Sequence, residues 1–416
     1  MEQINHNQVG QQYNIKLSVN GIQVPTKNIL SSVLREWIFD HVVTLECSIL
    51  DSGTFVELSP IFDESPVTIE FSKNNDVDTV KMDFAINAWE TERVNVDNGA
   101  VYGIRFIALQ KTTDYFYPIH TRVFKNSTTS EVLQSICQES GLEFVKDVDA
   151  NDSQMWMQSN QCNHVFTHHL MKRSYVNPED LPVFYFNRHN QAVFSTIKIK
   201  AAKKAKFLAI NNDMAFMDNG NDLVLKQLKE SYGTDSIIFY RTDFKTKNIS
   251  PIMNKYNGYG IDFTYFDHRN FFEYQLNFVF NPFSKYQNVN KKNAGKFTNG
   301  WTFNGLSKNV HENYILGKVQ NLYLSEVFYG NYLQIYVNPN MKLNVGDKIE
   351  MLIYDNLGKI LNGSPSVDVV NSGEYLVGGI SHDIKKDGLY TMIVTLFRNG
   401  TNESSIKPIQ FESITK

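Results

Sequence analysis

Apolar and polar residues alternate with period two through most of the first 111 residues, and each alternating run ends at residues that turn a chain. Ile15, Leu17 and Val19 lead to Asn20-Gly21, after which Ile22 and Val24 resume the pattern. Asn-Gly between such runs is the chemistry of a two-residue hairpin, whose central residues need positive φ. Further runs cover 42–50, 67–72, 79–89 and 102–111, separated by Asp51-Ser52-Gly53, Asn74-Asn75-Asp76 and Asp97-Asn98-Gly99. Strands this short and this evenly spaced predict a barrel or sandwich of about 100 residues. With 416 residues, 42% of them hydrophobic and 13% aromatic, disorder is excluded and several domains are expected.

The grammar then changes. Ser127-Thr128-Thr129-Ser130-Glu131 caps an amphipathic stretch, with Val132, Leu133, Ile136 and Cys137 on one face and Gly141 as a stop, which predicts a helix of about three turns within 124–142. A second helix is expected over 159–175, then strands over 183–187 and 192–198. An aromatic-dense, irregular region follows, then a helix over 310–327 and strands over 332–337, 349–354, 373–384 and 390–397. The expected division is a first barrel (1–112), an α/β insertion (113–205), an aromatic-rich interface or insertion domain (206–310), a second barrel with its preceding helix (311–402) and a tail (403–416).

Two parts of the chain echo each other. Phe84-Ala85-Ile86-Asn87-Ala88-Trp89 runs to a turn at Asn98-Gly99 and a strand over 102–109. Tyr375-Leu376-Val377-Gly378-Gly379-Ile380 runs to Asp387-Gly388 and a strand over 390–396. Upstream of each lies a similar strand, 67–71 in one case and 348–352 in the other. The fold class expected is therefore β-rich α+β, with two related antiparallel β-barrels and α/β insertion domains.

Three stretches, in this order and spacing, resemble the central hub proteins of contractile phage-type tails, including the spike-bearing hub of type VI secretion. They are Phe124 to Leu133 ending at Gly141-Leu142; Asn338-Pro339 through Leu343-Asn344-Val345-Gly346-Asp347; and Ser372 to Val377 through His382, Gly388, Tyr390 and Thr391 to Arg398. The resemblance implies that both barrels are tube-like and that three chains build a ring of six barrels between the sixfold tail tube and the threefold spike. It implies a homotrimer whose partners are the central spike protein, the tail tube protein, and the tape measure and other baseplate proteins. DNA would pass only transiently through the lumen. The expected location is the virion tail baseplate, assembled in the host cytoplasm.

The chemistry of single residues points the same way. Lys plus Arg number 40 against 44 Asp plus Glu, a net charge of -4, so no global basic field holds a nucleic-acid backbone. Cys47, Cys137 and Cys162 form no CxxC pair, which fits a reducing compartment. The first ten residues lack the apolar core of a signal peptide, and no run of about 18 apolar residues suggests membrane insertion. Cys162, His164, His168 and His169 are the best metal candidates, but no second element offers matching ligands, so a packed helix face is the plainer reading and no metal or other cofactor is expected.

Catalytic residues are not expected either. His382 reads as a strand residue rather than a base. Ser231-Tyr232-Gly233 lacks the first glycine of a nucleophile elbow, Gly258-Tyr259-Gly260 does not open a helix after a strand, and Glu57, Glu64, Glu90 and Glu92 read as surface acids. Lys198, Lys200, Lys203, Lys204 and Lys206 read as the solvated face of a strand. The aromatics from Tyr256 to Phe283 read as core plus interface. A structural hub is the leading expectation; a cell-wall hydrolase or a carbohydrate-binding receptor module is the alternative.

Overall fold

The computed structural model describes residues 13–73, 79–96, 99–178, 180–211, 235–246, 260–267, 272–279, 300–304, 311, 313–328, 331–355, 366–368, 371–385 and 389–398. Seven strands come first: β1 (Tyr13–Val19), β2 (Ile22–Val24), β3 (Ile29–Trp37), β4 (Thr44–Asp51), β5 (Pro66–Lys73), β6 (Val80–Val96) and β7 (Gly99–Gln110). The insertion holds α1 (Thr113–Phe116), β8 (His120–Ser127), α2 (Thr129–Glu139), β9 (Glu143–Lys146), β10 (Gln154–Gln161), α3 (Asn163–Met171), β11 (Pro182–Phe186), β12 (Gln191–Thr196) and α4 (Ile197–Ala202). After it come β13 (Phe207–Asn211), β14 (Asp235–Thr246), β15 (Gly260–Asp267), β16 (Phe272–Val279), β17 (Gly300–Asn304), α5 (Tyr314–Phe328), β18 (Asn331–Val337), β19 (Lys348–Leu352), β20 (Tyr354–Asp355), β21 (Ser366–Val367), β22 (Gly373–Lys385) and β23 (Tyr390–Arg398).

The first sheet runs β3-β4-β7-β6-β5-β1-β2, antiparallel throughout. The second runs β14-β18-β23-β22-β19-β13, and pairing of β13 with β14 closes it into a six-stranded barrel. Leaving β2 aside, both units visit the same places in the same chain order: β1 corresponds to β13, β3 to β14, β4 to β18, β5 to β19, β6 to β22 and β7 to β23. One direction differs, because β1 is antiparallel to β5 whereas β13 runs parallel to both its neighbours. The second barrel takes β13 and β14 from before residue 311, so its strands lie on both sides of the aromatic region.

The echo in the sequence marks equivalent structure. In β6 the register slips between Ile86 and Ala88 opposite β7; in β22 it slips between Val377 and Gly379 opposite β23. The echo aligns these residues with each other, so both hairpins carry their bulge at the same point. The turn residues Asn98 and Asp387-Gly388 lie outside the described residues. A bulge bends a strand and increases its twist, and here it lets each hairpin leave its barrel wall.

The two units share a wall. β3 pairs with β4 on one edge and with β22 on the other, Trp37 opposite Gly379 through Ser31 opposite Lys385, making one continuous thirteen-stranded sheet. Sequence alternation does not mark β3, because two of its inward positions, Ser32 and Glu36, are polar yet buried. Ser32 meets the Cys47 thiol at 3.2 Å. Inward residues of the first sheet, such as Leu17, Leu45, Ile69, Phe84 and Phe106, share a core with Val132, Leu133, Phe166 and Phe194 of the insertion, whereas the core of the second barrel takes in Val183, Tyr185 and Val193 of the same insertion.

Local sequence explains the insertion's boundaries. Thr128 accepts from the Glu131 amide and the Glu131 carboxylate accepts from the Thr128 amide, a reciprocal cap that starts α2. The second expected helix is shorter than its pattern, because 159–161 form the end of β10 and α3 begins only at Asn163. The lysine run does not lie on a strand. Thr196 caps the helical turn α4, which turns Lys200 inward to Asp147 at 2.8 Å. Of the aromatic region, β15, β16 and β17 form a separate three-stranded sheet.

Gly378 and Gly379 fix the junction. A Cβ on Gly378 would collide with the Phe397 ring, and one on Gly379 with the Trp37 ring. Those rings pack edge to face, centroids 5.3 Å apart, over the glycine backbone. Gly379→Ala is expected to destabilise the protein by about 1–3 kcal/mol, the range for overpacking a filled core, as a lower urea midpoint; an unchanged midpoint would contradict this packing.

Candidate functional site

The described residues hold their most elaborate polar constellation at the junction of the two barrels and the insertion. β3 carries Glu36 inward, and the tight turn between β11 and β12 carries Arg188 toward it. Asn187 shapes that turn, its side-chain oxygen accepting from the amides of His189 and Gln191, while Asn190 takes φ 59°. The Arg188 amide donates to Glu36 Oε2 and its Nη1 to Glu36 Oε1, both at 2.8 Å. Its Nη2 donates to the carbonyls of Met341 (2.6 Å) and Leu343 (2.8 Å) and to Asn344 Oδ1 (2.8 Å). One guanidinium thus ties the insertion to β3 and to the loop before β19.

His382 and Tyr390 extend the constellation. His382 Nε2 lies 3.4 Å from Glu36 Oε1, and its Nδ1 lies 2.5 Å from the Tyr390 hydroxyl. Burial pushes the His382 pKa down, outweighing the Glu36 carboxylate that draws it up. A neutral ring satisfies both partners when Nε2–H donates to Glu36 and Nδ1 accepts from Tyr390. For Glu36, burial pushes the pKa up, but Arg188 and then His382 outweigh it and hold the carboxyl down at about 2.

Hydroxyl, imidazole and carboxylate in a row have the layout of a nucleophile relay. Here Tyr390, His382 and Glu36 are only 1%, 1% and 2% exposed. The row is walled into the core and serves as a strut. Taking both charges out of water is expensive, and the hydrogen bonds to Glu36, Met341, Leu343 and Asn344 offset it although Arg188 Nε is buried without one; removing one partner of such a buried pair typically costs about 3–5 kcal/mol.

A second constellation joins the first sheet to α3. His41, in the turn after β3, stacks on His168 with centroids 3.9 Å apart and planes 11° apart. His164 Nε2 lies 3.3 Å from His168 Nε2, and His41 Nδ1 lies 3.0 Å from the Thr167 hydroxyl, which also meets the Tyr115 hydroxyl at 2.5 Å. Of the four metal candidates, the fold thus places His164 and His168 together with His41, while Cys162 forms the N-cap of α3 and the His169 carbonyl accepts from Arg173. The rings meet by faces and edges, and among the described residues no group of three or more metal-ligating side chains is placed to hold an ion.

The remaining candidates scatter. Glu57, Glu64, Glu90 and Glu92 are exposed; Lys206 pairs with Asp347 at 2.9 Å. The thiols of Cys47 and Cys137 are pushed up to about 12 by burial, which makes them poor nucleophiles. Ser231-Tyr232-Gly233, Gly258 and Tyr259 lie outside the described residues, as do the side chains of the aromatic stretch. Glu36 and Arg188 escaped the sequence reading; the only signal was a carboxylate at an inward position between Leu34 and Ile38.

No family model matches the chain, and no curated protein matches it by sequence. Solved structures match it in fold. The 43 kDa tail protein of prophage MuSo2 from Shewanella oneidensis superposes with a TM-score of 0.57 at 12% identity, over 94% of this chain and 100% of that one. The tail protein from Neisseria meningitidis MC58 superposes with a TM-score of 0.53 at 9% identity, over 93% of this chain and 97% of that one. The chain has the fold of these tail proteins.

The histidine cluster generates a pH dependence. Burial, then repulsion from His168 and His164, holds His41 well below its ordinary pKa; burial and then His164 hold His168 at about 4; burial lowers His164. The folded chain refuses protons that the unfolded chain accepts near 6.5, so this contribution is whole above pH 6.5 and is lost as pH falls toward 4. Melting temperature should fall less over that interval in His168→Gln than in the wild type. Parallel curves would contradict the assignment.

Proposed function

We propose that the chain is a structural hub of a phage-type tail, three copies forming a ring of six barrels that joins a sixfold tube to a threefold spike. The observation that carries this reading is the repeat of one strand order in both barrels, since six equivalent positions arise from three chains only when each chain contributes two similar units. The shared fold with tail proteins supports it. In this reading the role is mechanical rather than enzymatic: the barrels line a passage through which DNA travels, one face of the ring meets the tube and the other seats the spike, with tape measure and further baseplate proteins as neighbours in the virion.

The geometry suits that work. A ring that transmits force between tube and spike must not hinge within a protomer, and the shared strand with its sealed ion pair stiffens the joint between the two barrels. Closed cyclic symmetry is the usual outcome for soluble self-associating chains. Light scattering, with and without the spike partner as template, should give about 144 kDa, three copies of a 47.9 kDa chain. A stable monomer, dimer or hexamer under both conditions would contradict the reading.

A further inference from the structure

We propose that the edge of β6 beyond its bulge, residues 88–96, receives β14 of a second copy of this chain as an added antiparallel strand. The inference rests on the ring reading and names the surface that builds the ring. Within one chain, the outer edge of β22 pairs first with β19, at Gly373 to Leu376, and after the bulge with β3, at Gly379 to Lys385. The equivalent strand β6 pairs first with β5, at Val80 to Ala85. After the bulge, among the described residues, that edge of β6 has no strand beside it.

The missing strand is identified by the same equivalence. β3 fills the place beside β22, and β14 is the counterpart of β3. β14 pairs with β18 on one edge across 239–246, but with β13 on the other only as far as Phe239. Its second edge beyond Phe239 is therefore open among the described residues. Each chain has made one barrel-to-barrel joint, β3 on β22, and offers both halves of another. Since the halves lie on different barrels, they meet head to tail between copies, which closes into a ring when the rotation permits.

The register carries over as well. Ala108 faces Ile86 and pairs with Leu45, which pairs with Leu34 of β3. Leu396 faces Val377 and pairs with Leu333, which pairs with Phe244 of β14. Leu34 and Phe244 are thus counterparts, as are Arg35 and Lys245. Arg35 stands opposite Ser381, whose counterpart across the bulge is Glu90. Lys245 of one copy therefore falls opposite Glu90 of the next, and opposite charges directly across a pair are favourable. Glu92 falls opposite Asp243, whose charge Arg241 already takes up at 3.1 Å.

The edge itself asks for a partner. Residues 88–96 read Ala-Trp-Glu-Thr-Glu-Arg-Val-Asn-Val, without a proline to block pairing, and Trp89 is 41% exposed. Folded proteins rarely leave so long an edge unguarded.

The test uses the full chain carrying Glu90→Cys and Lys245→Cys, treated with a short thiol cross-linker, with each single variant as control. Light scattering on the same sample counts copies, and peptide mapping identifies the link. A trimer with covalent bonds from 90 to 245 between chains is expected. A trimer in which only other cysteines link would overturn this docking edge while leaving the hub reading intact, and a wild-type chain that never associates would overturn both. If the cysteine variants fail to assemble, charge decides: Glu90→Lys should weaken association by about tenfold at low salt, and adding Lys245→Glu should restore it. Association insensitive to both changes would overturn the edge.

Discussion

One strand belongs to two barrels. β3 hydrogen-bonds to β4 along one edge and to β22 along the other, and everything else about the joint follows from that double pairing. A strand with barrel walls on both sides faces the interior of each unit in turn, and its inward position Glu36 lands where no single apolar core covers it. Arg188 fills that gap from the insertion, satisfying the carboxylate and three acceptors of the loop before β19. Glycines at 378 and 379 leave room for the Phe397 and Trp37 rings to pack edge to face against the bend. The insertion is therefore a clasp on the barrel junction, and the His41 stack on α3 is its second fastening.

The fold was legible where one residue's environment depended on its neighbours in sequence. Alternation located β1, β4, β5, β6 and β7, and the Thr128-Glu131 pair located α2 because both partners of the cap lie within one turn. The echo between 84–89 and 375–380 marked two related hairpins, but the bulge that each carries there shows only in the strand register. Illegible features depend on distant partners. Ser32 and Glu36 look wrong for an inward strand face until Cys47 and Arg188 arrive, the latter 152 positions along the chain. The lysines at 198–206 alternate like a strand, but the Thr196 cap and the Asp147 carboxylate favour a helical turn with Lys200 inside. The histidines of α3 resembled a metal half-site because His41, which stacks on them, is contributed by another element.

The joint also explains how a chain of two barrels can act as one body. Independent barrels on a flexible linker would move separately, whereas barrels joined by a continuous sheet separate only by breaking a ladder of backbone bonds. The buried ion pair adds little net stability in general, but it penalises any displacement that separates its partners, because the separated charges would remain in the core. Rigidity and register, rather than raw stability, are what the Glu36, Arg188, His382 and Tyr390 row contributes.

Hydrogen exchange on the wild type and Arg188→Ala tests this most directly. The account predicts that amides of β3, β4 and β22 exchange together in the wild type with the protection of the barrel cores, and that Arg188→Ala lowers protection first at 31–37 and 379–385. Fast exchange of the β3–β22 ladder in the wild type, with each barrel separately protected, would contradict the claim that the two barrels form one body.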